Sequence, residues 1–286
     1  MISEALGLGF LQRALAAGLC LSLLGGLLSV FIILRRLAFI GVGISHSAFG
    51  GVALGFLLGV DPLWTGVGFA ILVALAIEGV HSQGRLEEDA AIGIFFAASM
   101  SLGVIFLHFS RTYNVDVFGF LFGNILAIGP RQLLQIFVVT LIVVATLAAF
   151  FKELVFLSFD EEMAWVSGVP VKGLRCLFLV LMSMVIVVSI YLVGIILVSA
   201  LLVIPGAVGR NLSQRVGSML MVSVGAALIS TLGGLGISYA ADWPAGATVV
   251  LFMSLVFYAS QLWRWRRAGS GKPGAGGAGG GVSGAA

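Results

Sequence analysis

Eight stretches of this chain, 14–34, 37–60, 62–77, 90–110, 132–151, 176–209, 216–241 and 243–263, contain no Asp, Glu, Lys or Arg. All but one are 16 to 26 residues long, close to the ~20 residues that cross a ~30 Å hydrocarbon layer. Inside that layer the backbone finds no water, so a spanning segment must be a helix or part of a closed barrel. Barrel strands alternate polar and apolar residues, and these runs do not. The chain is therefore read as an all-α integral membrane protein, a polytopic bundle. Its 9% charged residues compare with ~25% in soluble domains, and its 40 glycines and 21 phenylalanines suit closely packed helices. Cys20 and Cys176 sit in apolar runs with no CxxC pair, which suggests neither a disulfide framework nor a zinc knuckle. A net charge of +3 is too small to argue for nucleic acid.

The exception in length is 176–209, 34 residues without charge. As one helix it would reach ~51 Å, too long for one crossing and short for two full crossings plus a turn. Gly194 and Pro205 are expected to interrupt it, with a full helix to about Val193 and a shorter, broken return. The count is then eight or nine transmembrane helices, with nine favoured. Orientation follows from Lys and Arg placement. Twelve of the fifteen basic residues (Arg35, Arg36, Arg85, Lys152, Lys172, Arg175, Arg210, Arg215, Arg264, Arg266, Arg267 and Lys272) fall on one side, and Arg13, Arg111 and Arg131 on the other. The twelve mark the cytoplasmic face, so nine spans put the N-terminus outside. Residues 1–9 lack the basic cluster of a signal peptide. The expected division is a membrane domain over 1–267 and a disordered Gly/Ala-rich cytoplasmic tail over 268–286. Within that tail Gly271-Lys272 is followed by Pro273 rather than Ser or Thr, so it is no phosphate loop. Neither a cofactor nor catalysis is expected in this chain.

Between Arg36 and Asp61, Gly43, Ser47, Gly51 and Gly55 recur at every fourth residue. They make one small-residue stripe on a helix, and such stripes let backbones approach where lipid supplies no hydrophobic drive. The rest of the chain is read as arranged around this helix. His46 lies beside the stripe, ~14 Å in from Leu37 and near mid-membrane. An ionisable group facing the bundle at that depth is a functional candidate. On the inner side, Lys152 to Lys172 reads KELVFLSFDEEMAWVSGVPVK. Ser158 and Glu161 have capping-box spacing, and Asp160, Glu161 and Glu162 suit a helix start. Phe159, Met163 and Val166 share a face, and Gly168 with Pro170 stops the helix. A short amphipathic helix at 160–167 is expected on the cytoplasmic surface. It either rests on membrane lipid or meets a protein partner, and its acidic edge suits a protein better than an anionic leaflet. On the outer side, 114–130 reads as a re-entrant vestibule or as a flat surface loop. Asp61 and Asp242, each close before a proline, either attract a cation or simply open turns, and turns are preferred. Glu78 is expected to snorkel to the interface.

Six stretches in order carry a resemblance: LRRLAFIGVGISHSAFGGVAL at 34–54, EEDAAIGIFF at 87–96, FLFGNILAI at 120–128, FDEEMAWVSGVPV at 159–171, VGIILVSALLVIPGAVGR at 193–210, and DWPAGATVVL at 242–251. Together they resemble the membrane permeases of bacterial zinc/manganese ABC importers, over roughly residues 30–262. The resemblance implies a permease subunit in the cell inner membrane, present as a homodimer or paired with a similar permease. It also implies two ATPase subunits inside and a periplasmic or lipoprotein metal-binding protein outside. The helix at 160–167 would be the coupling helix that fits an ATPase cleft, with Asp160, Glu161 and Glu162 at its start, Ala164 keeping the contact close and Gly168 ending it.

That family usually reads G-D-A-x-S-H where this chain has Gly41-Val42-Gly43-Ile44-Ser45-His46. Ser45 and His46 match as translocation-pathway residues, but Val42 replaces the aspartate that would share a metal with the histidine. A lone imidazole is a poor dication site, since zinc takes several ligands. His46 is left with three roles: a direct metal contact, a pathway lining, or a histidine satisfied by a backbone carbonyl. The substrate implied is zinc or manganese, with iron also open. The alternatives are a permease for siderophore-bound iron, haem or cobalamin, and, from another class, a proton-coupled secondary transporter. The latter usually needs central carboxylates, which these spans lack.

Overall fold

The computed structural model describes residues 9–84, 86–110, 123 and 128–269. Among them there is no strand. The helices, in chain order, are α1 (Gly9–Leu34), α2 (Ala38–Leu58), α3 (Pro62–His81), α4 (Glu88–Phe109), α5 (Pro130–Ala149), α6 (Phe151–Phe159) and α7 (Glu161–Val166). Then come α8 (Val171–Ile190), α9 (Val193–Leu212), α10 (Val216–Ala241) and α11 (Ala245–Gly269). Nine of these described helices are long and apolar enough to span a membrane, which makes the chain a multi-pass integral membrane protein. Most of 114–130, and the tail beyond 269, lie outside the described residues.

The long uncharged run resolves into two helices joined at Gly194. Its φ of 79° and ψ of 164° are open to glycine and costly for other residues. Both outer ends of this hairpin lead back to one face. Arg175 at the start of α8 pairs with Glu78 and Glu161, while Arg210 at the end of α9 shares a pocket with Arg36 and Phe159. The chain therefore reverses at Gly194, against which Gly123 is packed. Pro205, expected to break the return helix, does not: α9 runs through it to Leu212. Lacking an N–H, Pro205 leaves the Leu201 carbonyl without its usual donor. That carbonyl lies against Gly25 of α1, where the absence of a side chain lets the helices touch.

The α8–α9 hairpin, not α2, is the centre of the bundle. It touches α1, α2, α3, α5, α6, α7, α10 and α11. Helix α2 is nonetheless well buried, and its small residues act as expected. A Cβ at Gly51 would fall 2.8 Å from Gly66 Cα, so α2 and α3 meet backbone to backbone. Gly50 makes the same kind of approach to the Ser99 carbonyl of α4, while Gly43 leaves room for the Ile92 side chain of that helix. Helix α1 is stitched to α10 by hydroxyls: Ser22 Oγ donates to Thr231 Oγ1 at 2.8 Å, and Ser223 Oγ donates to the Gly26 carbonyl at 2.8 Å. Each such bond is worth ~0.6 kcal/mol in a membrane helix pair. The turn from α1 to α2 needs only three residues because Arg36 takes a left-handed φ of 61°. There its N–H and that of Leu37 donate to the Ile33 and Ile32 carbonyls.

Most of the basic residues gather at one end of the bundle. Arg36, Ser158, Arg210, Ser213 and Gln214 line one pocket at one end. At the other, Asp61 pairs with Arg131 at 3.4 Å. By the distribution of Lys and Arg the first end is cytoplasmic. A cysteine placed at exposed Gln214, after both native cysteines are replaced, is expected to react with an impermeant maleimide only in inverted or opened vesicles. One placed at exposed Trp243 is expected to react in intact cells. The reverse pattern would invert every loop assignment.

Candidate functional site

Two features of the described structure bear on function. The first is the short helix α7 at the cytoplasmic end. Chain direction changes at Asp160, whose extended backbone (φ −151°, ψ 103°) and carboxylate cap the helix. Its Oδ1 accepts from the Met163 N–H at 2.9 Å. Glu161 and Glu162 follow in the first turn, where the helix dipole favours negative charge. Ser158, expected to form a capping box with Glu161, instead donates to the Leu154 carbonyl at 2.7 Å. It belongs to the last turn of α6, so α7 is entered from a helix rather than from a loop.

The end of α7 is equally well defined. Gly168 has φ +83°; its N–H donates to the Trp165 carbonyl and that of Val169 to the Ala164 carbonyl, both at 3.0 Å. This is the paired-bond stop in which a left-handed glycine closes a helix. A Cβ at Gly168 would meet nothing within 4 Å, so only backbone strain opposes a side chain there. Gly168→Val is expected to cost about 1–2 kcal/mol locally while insertion proceeds normally. Protease sensitivity of the 160–170 segment in vesicles should rise, with the spans still protected. An unchanged digestion pattern would mean that the helix end tolerates the strain.

Helix α7 has an inner and an outer face. Ala164 is fully buried against the bundle, so its small side chain seats the helix on this chain. Phe159, Met163, Trp165 and Val166 are all more than half exposed. Trp165 and Val166 also border a groove of about 1100 Å³ between α7, the end of α3 and the start of α8. Arg175 lies in this groove with its guanidinium against two acids. Its Nε is 3.1 Å from Glu78 Oε1 and its Nη2 donates to Glu78 Oε2 at 3.1 Å, a two-pronged pair. Its Nη1 donates to Glu161 Oε1 at 3.0 Å. Glu78 therefore does not snorkel; its side chain is 14% exposed and paired. Beside this cluster Arg35 lies 5.3 Å over the Phe178 ring, within cation–π range, and its buried Nη1 has no acceptor among the described residues. Burial first, and then neighbouring Arg175, push the Arg35 guanidinium below its ordinary value, while Glu161, Glu78 and Glu88 pull it back up.

The second feature is the face of α2 that carries His46. Most of α2 is enclosed, but Phe39 is 62% exposed and Val42 and His46 are half-buried, one turn apart on the same side. His46 Nδ1 lies 2.9 Å from the Val42 carbonyl oxygen. A carbonyl only accepts, so Nδ1 is the donor, and in a neutral imidazole with that tautomer Nε2 carries the lone pair. A metal-binding histidine is commonly held in this way, its other nitrogen donating to a carbonyl. The ring also meets Phe96 of α4 edge-on, with centroids 5.1 Å apart. Ser45 is turned elsewhere: it is fully buried and donates to the Gly41 carbonyl at 2.7 Å. The structure thus does not bring Ser45 and His46 into one cavity. Among the described residues no group of three His, Cys, Asp or Glu side chains gathers as a metal site. Asp61 caps α3, accepting from the Leu63 N–H at 3.0 Å, and Asp242 ends α10 with a left-handed φ of 53°. Both act as turn residues.

Comparison with known proteins covers almost all of this architecture. The family model described as ABC 3 transport family matches residues 8–264. The manganese transport system membrane protein MntC of Listeria innocua is 34% identical over 254 residues, covering 89% of this chain and 90% of that protein. The high-affinity zinc uptake system membrane protein ZnuB of Haemophilus influenzae is 34% identical over 253 residues, covering 88% and 97%. Among solved structures, PsaBC from Streptococcus pneumoniae in complex with Fab superposes with a TM-score of 0.82 at 33% identity, covering 91% of this chain and 95% of that one.

Proposed function

The chain belongs to the ABC 3 transport family, and on that premise we propose that it is the permease subunit of an ATP-driven importer of a divalent transition metal, zinc or manganese. The observation that carries this reading is α7. Capped by Asp160, stopped by Gly168 and seated by Ala164, it holds Phe159, Met163, Trp165 and Val166 out to the cytoplasm beside an open groove. Exposed aromatic and apolar anchors rimmed by acids suit a protein partner, and here that partner is the ATPase. The relatives named for manganese and zinc supply the cargo class. Zinc and manganese differ in ligand preference, and a single half-buried imidazole does not separate them.

In this mechanism the chain performs no chemistry on ATP. Closure of the ATPase dimer moves α7, and the helices packed on it open a path along the His46 face. A second permease copy supplies the opposite wall, and a metal-binding protein delivers the ion at the outer surface near Asp61 and Asp242. His46 would offer Nε2 to a passing ion, weakly enough to release it, as conduction requires. The test is reconstitution of the permease with its ATPase and binding protein in proteoliposomes. ATP-dependent accumulation of zinc or manganese is expected. Accumulation driven by a proton gradient with no ATP would replace this reading with a secondary transporter.

A further inference from the structure

Resting on the permease reading, we propose that Arg175 is the positioning residue that carries movement of α7 into the membrane core. Its guanidinium joins three elements at once: α8, which bears it, α3 through Glu78, and α7 through Glu161. The two arms differ in kind. The Glu78 arm is two-pronged and mostly buried, with side-chain exposures of 21% and 14%; bidentate guanidinium–carboxylate pairs fix orientation as well as distance. The Glu161 arm is a single contact to a carboxylate that is 49% exposed, and exposed pairs are weak. One arm therefore clamps the bases of α3 and α8 together, and the other attaches α7 by a bond that can be broken and remade.

From the clamp onward the path is closely packed. Gly66 of α3 lies between Val187 of α8 and Val52 of α2, each 3.1 Å from where its Cβ would be. Helix α2 in turn carries His46. Displacement of Glu161 pulls on Arg175, and α3 moves with it because the Glu78 pair does not let go. Arg35 gives the arrangement a second position. Its buried Nη1, without an acceptor among the described residues, can take up a carboxylate oxygen that Arg175 releases, so no acid is stranded at the membrane edge.

The experiment measures metal uptake and ATP hydrolysis in the same proteoliposomes holding the assembled transporter, and reads their ratio. Loss of assembly lowers both together, so a purely structural role leaves the ratio unchanged. Glu161→Gln, which keeps the Glu78 pair, is expected to lower uptake per ATP hydrolysed several-fold, read in vesicles whose ATPase content per permease matches wild type. Arg175→Leu is expected to lower it further, and the inverted set Glu78→Arg, Arg175→Glu, Glu161→Arg to recover part of it. If Arg175→Leu does not assemble, Glu161→Gln alone decides. A wild-type ratio in Glu161→Gln overturns the role of Arg175 and leaves the permease reading standing. Wild-type vesicles that hydrolyse ATP without any uptake overturn both.

Discussion

One methyl group added at Gly51 is expected to separate α2 from α3, whereas the same change at Gly68, two residues beyond Gly66 in α3, is expected to be harmless. At Gly51 a Cβ would stand 2.5 Å from Phe69 Cβ, 2.8 Å from Gly66 Cα and 2.9 Å from the Thr65 carbonyl oxygen. Two of these three atoms are backbone and cannot rotate aside, so relief requires the helices to part. Overpacking in a close-packed interior costs about 1–3 kcal/mol and occasionally more, and rigid opposition places Gly51→Ala at the upper end. Parting also removes the contacts that hold the pair, since lipid gives no hydrophobic compensation. At Gly68 nothing lies within 4 Å of the added atom, and alanine is the better helix former. Monodisperse yield after detergent extraction, with thermal stability of the purified protein, measures both variants. Equal stability would mean that the α2–α3 contact is looser than these distances state.

The same contrast explains what was legible in the sequence. Spans are written in long uncharged runs, because burial of charge in lipid is costly wherever it occurs. The stripe Gly43, Ser47, Gly51, Gly55 announced a close helix contact, since spacing of four puts residues on one face whatever the neighbour is. It did not name α3 and α4 as the neighbours. Helix α7 was legible from Asp160-Glu161-Glu162 and Gly168, which act through the local backbone. Ser158 misled because a hydroxyl at the right spacing can equally bond back to its own helix, as it does to Leu154. Pro205 misled because a proline is tolerated inside a membrane helix that its neighbours pack against, as α1 does here at Gly25. The Glu78–Arg175 pair, separated by 97 residues, left no local trace. Long-range ion pairs depend on which helix ends meet, and a run of apolar residues carries no record of that. The priority of α8–α9 over α2 was hidden for the same reason: uniform hydrophobicity does not distinguish a central span from a peripheral one.

Replacing His46 by alanine is expected to lower metal uptake by at least about tenfold, the smaller effect typical of disturbing a metal site's surroundings, while assembly with the ATPase is unaffected. Among the described residues its ring makes a hydrogen bond to its own helix and an edge contact with Phe96, so little packing is lost. The geometry explains why uptake should depend on it. With Nδ1–H donated to the Val42 carbonyl, the ring is held in one tautomer and Nε2 is the atom left to meet an ion. Val42 offers no ligand, so the ion's other partners must be water or groups outside this helix, and binding stays weak. Val42→Asp changes that balance. A carboxylate one turn earlier on the same face adds a hard oxygen beside the imidazole nitrogen and holds the cation with two ligands. Bound metal per purified complex is expected to rise in Val42→Asp and transport to slow, because release becomes limiting. In His46→Ala, Val42→Asp combined, the added binding should largely vanish, since the two ligands act on one ion. Normal uptake by His46→Ala would remove this histidine from the pathway. A gain in bound metal that survives without His46 would place the ion elsewhere.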